Sequence, residues 1–322
     1  MKAAVYERYG GPEVVRLAEI DRPAPAPGEV LVRVRATSVT TADWRMRAAA
    51  YPGILWLPGR LMTGLTRPKN PVLGLEFAGE VAGLGEGAQA PAPGTRVFGF
   101  SGKGAHAEYL VMPATGPVVE TPAGLSDEEA AALPFGALSA LVFLRDFAKV
   151  RPGQSVAVVG ASGGVGIYAV QIARALGATV TGIASGTNRD LVLELGAEHF
   201  VDYRAEDFTD SLARYDLVFD AVGAVDFARA RRVLTPGGLF LPLNFGFREM
   251  MQALWAKIAG GPRLKIATSG DSAADLEVLK AMVAEGKLRP VIERTYPLER
   301  IAEAHAHVEA RHRKGAVILT VP

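Results

Sequence analysis

Val156-Ala157-Val158-Val159-Gly160-Ala161-Ser162-Gly163-Gly164-Val165-Gly166, followed by the run Ile167–Leu176, decides how this chain folds. The unbroken apolar stretch before Gly160 reads as a strand buried on both faces, and the apolar spacing after Gly166 reads as a helix. Between them the A-x-G-x-x-G spacing puts Ala161, Gly163 and Gly166 at the positions of a dinucleotide fingerprint, with Ser162, Gly164 and Val165 filling the loop. That fingerprint needs a tight turn, a close backbone approach to a pyrophosphate and close packing of helix on strand. The helix start behind the loop offers free N–H groups and a positive dipole end to phosphates. Glycines alone would fit an ordinary turn; here a strand, a helix and a second strand at 179–183 are all in place.

The second strand ends where NAD-preferring enzymes commonly carry an acid for the ribose 2′-hydroxyl. This chain reads Gly182-Ile183-Ala184-Ser185-Gly186-Thr187-Asn188-Arg189 there, with no acid before Asp190. Ser185 and Asn188 can donate hydrogen bonds to a 2′-phosphate and Arg189 can pair with it, so NADPH is expected over NADH. The competing reading has Ser185 or Thr187 cap the next helix, with Arg189 solvated.

Outward from this loop the chain shows two textures. Up to about Pro122 it reads as short strands, 2–6, 14–20, 30–36, 77–84, 95–100, 105–112 and 118–121, separated by Gly10-Gly11-Pro12, Pro23-Ala24-Pro25-Ala26-Pro27-Gly28 and Pro91-Ala92-Pro93-Gly94. Beyond Ser126, strands at 156–159, 179–183, 200–202, 217–220, 239–243 and 264–267 alternate with helical patterns near 164–176, 188–195, 226–234 and 247–259, the rhythm of a parallel doubly wound sheet. A helix near 273–285, a strand 290–296, a helix near 298–310 and a strand 316–321 complete the tail. The expected fold is α/β, with a doubly wound domain, 123–265, inserted into a β-rich domain made of 1–122 and 266–322.

The composition excludes other readings. At 322 residues two domains are expected, and a net charge of +1 gives no basic patch for nucleic acid or an anionic membrane. The absence of cysteine removes disulfide scaffolds, thiolate nucleophiles and cysteine-ligated zinc. The charged N-terminus lacks the apolar stretch of a secretory signal, and the longest apolar run, Phe135–Leu144, is too short for a bilayer, so a cytoplasmic protein without membrane span is expected.

The loop, together with Met1-Lys2-Ala3-Ala4-Val5, Pro27-Gly28-Glu29-Val30, Gly74-Leu75-Glu76-Phe77-Ala78-Gly79, Pro93-Gly94-Thr95-Arg96-Val97, Gly104-Ala105-His106-Ala107-Glu108-Tyr109 and Leu195-Gly196-Ala197 with Asp202-Tyr203, resembles the medium-chain dehydrogenase/reductase superfamily. Within it the chain is most similar to the zinc-lacking quinone oxidoreductase or enone reductase branch. The resemblance covers essentially the whole chain. It implies a GroES-like catalytic domain, a Rossmann domain and a cofactor in the cleft between them, with nicotinamide facing Thr40 and the Phe135-Gly136 stretch. It also implies a homodimer. Carried over by position, Arg189 matches the base that meets the 2′-phosphate, Tyr203 an aromatic at the same end, and Arg311 a C-terminal arginine adding charge there. Tyr203 also fits simple packing, and Arg311 a solvated helix face.

Zinc-dependent relatives carry a histidine before the glutamate of the Gly-x-Glu motif and a cysteine after the 30–36 strand; here Leu75 precedes Glu76, and Thr37, Ser38, Thr40 and Thr41 occupy the loop. His305 and His307 fall on different helix faces, and His106, His199 and His312 suggest no ligand cluster. Without a metal to polarise a simple carbonyl, the expected substrate is a hydrophobic quinone or α,β-unsaturated carbonyl, already a good hydride acceptor. Thr40 stands where quinone oxidoreductases often show asparagine, and it also reads as a helix cap with Asp43. Tyr51 is a candidate proton donor, with solvent as the alternative. Glu76 either orients the cleft floor or pairs with a base. The apolar segments 51–62 and 245–255 read as a substrate pocket or lid, or as interface and core. Two other functions remain compatible: a zinc-free alcohol or aldehyde dehydrogenase, and a non-catalytic NADPH-binding redox sensor or interaction protein.

Overall fold

The computed structural model describes residues 1–51, 53–268, 270–311 and 313–322, without the side chains of Ile54 and 257–259. The chain divides into two compact units, one from Met1–Tyr51, Leu55–Leu138 and Asp271–Pro322, the other chiefly from Ser139–Gly270. His312 lies outside the described residues.

In the first unit β1 (Lys2–Val5) and β2 (Arg16–Glu19) form an antiparallel ribbon. They are followed by β3 (Glu29–Ser38), α1 (Thr41–Ala48), α2 (Trp56–Thr63), β4 (Glu76–Leu84), β5 (Arg96–Phe100), β6 (Tyr109–Pro113), β7 (Val118–Glu120), α3 (Asp127–Ala131) and α4 (Pro134–Leu141). β3 is central: it pairs antiparallel with both β4 and β6, and Val30, Val32 and Val34 are fully buried while Arg33 and Arg35 reach outward. That alternation is the strand period of two. Its register against β4 shifts between Leu31 and Val32 and again between Val34 and Ala36, bulges that bend the strand and raise its twist. Before Pro122 the sequence pattern shows strands and, of the helices, only the Thr40–Asp43 cap of α1; α2 is not marked. α1 is held by its cap rather than by an apolar stripe, and α2 exposes Trp56, Leu57, Leu61 and Met62. The apolar run at 135–144 is α4 and the wider helical turn that continues it, Val142–Ala148.

The second unit is one parallel sheet. β8 (Ser155–Val159), α5 (Gly166–Ala175), β9 (Thr179–Ala184), α6 (Arg189–Glu194), β10 (His199–Asp202), β11 (Tyr215–Asp220), α7 (Phe227–Ala230), β12 (Leu234–Pro242), α8 (Phe247–Ala259) and β13 (Arg263–Leu264) order as β10-β9-β8-β11-β12-β13. This is the doubly wound order, in which the progression of strands reverses between β8 and β11. Val156, Ala157 and Val158 have no exposed surface, as expected for a strand covered on both faces. α5 stops at Gly177, whose φ of +84° and N–H bond to the Arg174 carbonyl make the left-handed cap. The helix expected near 226–234 is shorter, because β12 begins at Leu234 and its Pro236-Gly237-Gly238 stretch carries a register shift against β11.

The tail returns to the first unit. After α9 (Ala273–Ala284), β14 (Ile292–Pro297) and α10 (Ile301–Glu309), β15 (Ala316–Thr320) pairs antiparallel with β3, Ile318 opposite Ser38. The sheet then runs β14-β15-β3-β4-β5-β7, with β6 on β3. Among the described residues no helix is long and apolar enough to cross a membrane.

Candidate functional site

The loop between β8 and α5 is shaped by backbone proximity. Gly160 takes the left-handed conformation, φ +80°, so the turn itself falls one residue before Ala161. A Cβ on Gly166 would lie 2.0 Å from the Gly160 carbonyl oxygen, and one on Gly163 3.3 Å from the same atom. Ala161, fully buried, packs toward Gly182, where a Cβ would meet the Val192 side chain at 2.3 Å; only glycines let α5 and α6 approach the sheet this closely. The N–H groups of Ser162, Gly164, Val165 and Gly166 meet no protein acceptor among the described residues, and no side chain caps the start of α5. Free N–H groups at a helix start with no side chain in the way are the chemistry a diphosphate requires, so the residues present fit a dinucleotide.

The end of β9 holds the residues that the sequence reading places at the ribose. Ser185 is buried, its Oγ 3.2 Å from Thr187 Oγ1. Asn188 Nδ2 donates to Ser162 Oγ and to Ser185 Oγ, both at 3.0 Å. Its amide hydrogens are therefore spent inside the protein, and Asn188 ties the phosphate loop to Ser185 instead of offering a donor to a 2′-phosphate. Arg189 opens α6, exposed, with its guanidinium 5.5 Å from the Phe200 ring centroid. The Tyr203 ring is exposed, and its N–H donates to the Ala184 carbonyl at 3.2 Å, which sets it beside the β9 end. The chain neighbourhood shows no acid, yet the fold supplies one: a Cβ on Gly186 would fall 2.4 Å from Asp202 Oδ2.

Thr40, Tyr51 and Arg311 belong to the first unit. Thr40 Oγ1 donates to Asp43 Oδ2 at 2.6 Å and accepts from the Asp43 N–H at 3.1 Å, while Asp43 Oδ2 also accepts the Thr40 N–H at 2.8 Å. This reciprocal capping box uses the one hydroxyl proton Thr40 has, so the geometry supports the cap reading of Thr40 and leaves no proton for a substrate oxygen. Tyr51 donates to Thr63 Oγ1 at 2.9 Å, its ring lies against Gly59, and burial raises its phenol pKa despite that hydrogen bond. Arg311, exposed, sits just past α10 with φ +58° and its guanidinium 4.8 Å from the Trp44 ring centroid.

A buried network around Glu76 carries more structure than its sequence signal suggests. Ser38 Oγ donates to Glu76 Oε1, the Phe135 N–H donates to Oε2, and Thr37 Oγ1 donates to the Glu76 carbonyl at 2.6 Å. Burial pushes the Glu76 carboxyl up to about 8, against the opposing pull of the Phe135 and Ser38 bonds, so its neutral form is the main one at neutral pH. Arg313, half-buried, donates to the Val39 carbonyl at 3.1 Å and to Thr41 Oγ1 at 2.9 Å, and desolvation lowers its pKa against the opposing pull of Glu76, Glu293 and Asp43. Asp43 Oδ1 in turn accepts the Gly74 N–H at 3.0 Å. Nothing in the sequence marks Arg313, because its role depends on β15 bringing the tail back to β3. His106 and His305 are buried with ring centroids 5.8 Å apart, and among the described residues no group of three metal-ligating side chains forms.

Residues 26–123 match the family described as alcohol dehydrogenase GroES-like domain, and residues 195–319 the family described as zinc-binding dehydrogenase. The quinone oxidoreductase of Homo sapiens is 31% identical over 98% of this chain and 95% of its own length. The synaptic vesicle membrane protein VAT-1 homolog of Danio rerio is 29% identical over 99% of this chain and 70% of its own length. The solved quinone oxidoreductase from Coxiella burnetii is similar with a TM-score of 0.88 at 28% identity, covering 100% of this chain and 99% of that one. With its parallel sheet, its GroES-like domain and its phosphate loop, the chain belongs to the medium-chain dehydrogenase/reductase superfamily, in the quinone oxidoreductase branch.

Proposed function

We propose that this oxidoreductase uses NADPH and works without zinc, passing hydride to a hydrophobic quinone or α,β-unsaturated carbonyl. One pairing carries the reading: a phosphate loop in which the N–H groups of Ser162, Gly164, Val165 and Gly166 meet no protein acceptor among the described residues, in a chain that has no cysteine and has Leu75 where zinc-dependent relatives place histidine. The nicotinamide, when bound, supplies the hydride. The residues of this chain bind and orient. The N–H groups of Ser162, Gly164, Val165 and Gly166 hold the diphosphate, Ser185 and Arg189 meet the 2′-phosphate, and Tyr203 offers its exposed ring at that end. The Glu76 network fixes the Phe135 backbone through one N–H bond, which makes Glu76 a positioning residue. Thr40 acts through its cap on α1. A substrate that is already conjugated needs a hydrogen bond to its oxygen rather than a metal, and the proton that completes the reduction comes from solvent.

The test is turnover of purified, chelator-treated protein with NADPH or NADH against quinones, enones and primary alcohols. Oxidation of NADPH by quinones or enones is expected. Alcohol oxidation that depends on added zinc would overturn the reading.

A further inference from the structure

We infer that Asp202 supplies the ribose-facing carboxylate that β9 lacks, so that this site accepts the unphosphorylated dinucleotide NADH alongside NADPH. The inference rests on the dinucleotide reading above and goes beyond it. At the end of β9 the chain offers hydroxyls, Ser185 and Thr187, and no acid. β10 runs parallel beside it with Asp202 paired to Ala184, so the last residue of β10 ends level with the residue before Ser185. Its side chain then reaches across to Gly186, where a Cβ would lie 2.4 Å from Oδ2 and 3.2 Å from the carboxyl carbon. Any side chain at 186 would push the carboxylate away; glycine keeps it in position.

The two carboxylate oxygens differ. Oδ1 accepts the Arg204 N–H at 3.0 Å and fixes the side chain as a turn acceptor. Oδ2 has no hydrogen-bond partner among the described residues, and Asp202 makes no ion pair with Arg189 or Arg204, whose guanidinium groups lie over the rings of Phe200 and Tyr203 at 5.5 and 5.9 Å. A carboxylate oxygen without a partner, on a half-buried side chain at the C-terminal edge of a parallel sheet and against Gly186, is an acceptor for the vicinal hydroxyls of a ribose. The same charge opposes a 2′-phosphate. Arg189 and Asp202 therefore pull the selection in opposite directions, and the second comes from a neighbouring strand that motif spacing along β9 does not reach.

The experiment is calorimetric binding of NADPH and of NADH to the full-length protein, to Asp202→Asn and to Gly186→Ala, with thermal melts to confirm folding. The unaltered protein is expected to bind both dinucleotides within about tenfold of each other. Asp202→Asn keeps the Arg204 bond but removes the charge, so the ratio of affinities is expected to move about tenfold or more toward NADPH. Gly186→Ala displaces the carboxylate and is expected to move the ratio the same way. A ratio that stays within about twofold in both variants would overturn this inference while leaving the dinucleotide reading standing. An unaltered protein that binds neither nucleotide would overturn both.

Discussion

Glu76 shows how little a single residue's sequence signal reveals of its state. Its place after Leu75 is legible, but its burial and its bonds to Ser38 and Phe135 depend on two strands and a helix far apart in sequence. Its folded-state pKa, about 8, lies above the ordinary carboxylate value, so the folded protein holds a proton that the unfolded chain releases. The stabilisation from that proton is complete below the unfolded pKa and is lost as pH rises through about 8. Thermal melts from acid to mildly alkaline pH are expected to show this decline, and Glu76→Gln, which is neutral throughout, is expected to flatten it. An equal decline in both proteins would show that Glu76 is ionised when folded. Arg189 is read from its position in the chain, and Arg189→Ala is expected to weaken NADPH binding about tenfold or more with little effect on NADH, as measured by titration. Asn188 has the opposite expectation: because it joins Ser162 to Ser185, Asn188→Ala should weaken both dinucleotides together.

At the scale of elements, the phosphate loop was legible because every part of its signal is local: strand, glycines and helix are contiguous. Gly166→Ala would set a Cβ 2.0 Å from the Gly160 carbonyl and force α5 away from the turn. Loss of dinucleotide binding is expected, with destabilisation of about 1–3 kcal/mol, measured by calorimetry and denaturant melts. α1 was legible only as a cap, since Thr40 and Asp43 carry its signal. Thr40→Ala is expected to cost about 1 kcal/mol of stability and to change turnover no more than that loss explains. A large fall in turnover with an unchanged melting temperature would restore a chemical role to Thr40. α2 was invisible for a different reason. Its apolar residues are exposed on the described structure, so they form no buried stripe from which a period could be read.

Over the whole molecule, the alternation of strand and helix after Ser126 was enough to read a parallel sheet, and the observed order β10-β9-β8-β11-β12-β13 is the doubly wound one. The tail was harder, since β15 finds β3 across most of the chain, and the half-buried Arg313 that arrives with it has no sequence mark. Asp202 belongs to the same class: adjacency of parallel strands, not spacing along one strand, sets it against Gly186. What sequence did carry was the chemistry of absence, a chain without cysteine that keeps the architecture of a zinc dehydrogenase. The most direct test is NADPH oxidation by a quinone, followed through nicotinamide absorbance, before and after exhaustive chelation of the purified protein. The rate is predicted to survive chelation and to be unmoved by added zinc. A rate lost on chelation and restored by zinc would contradict the account.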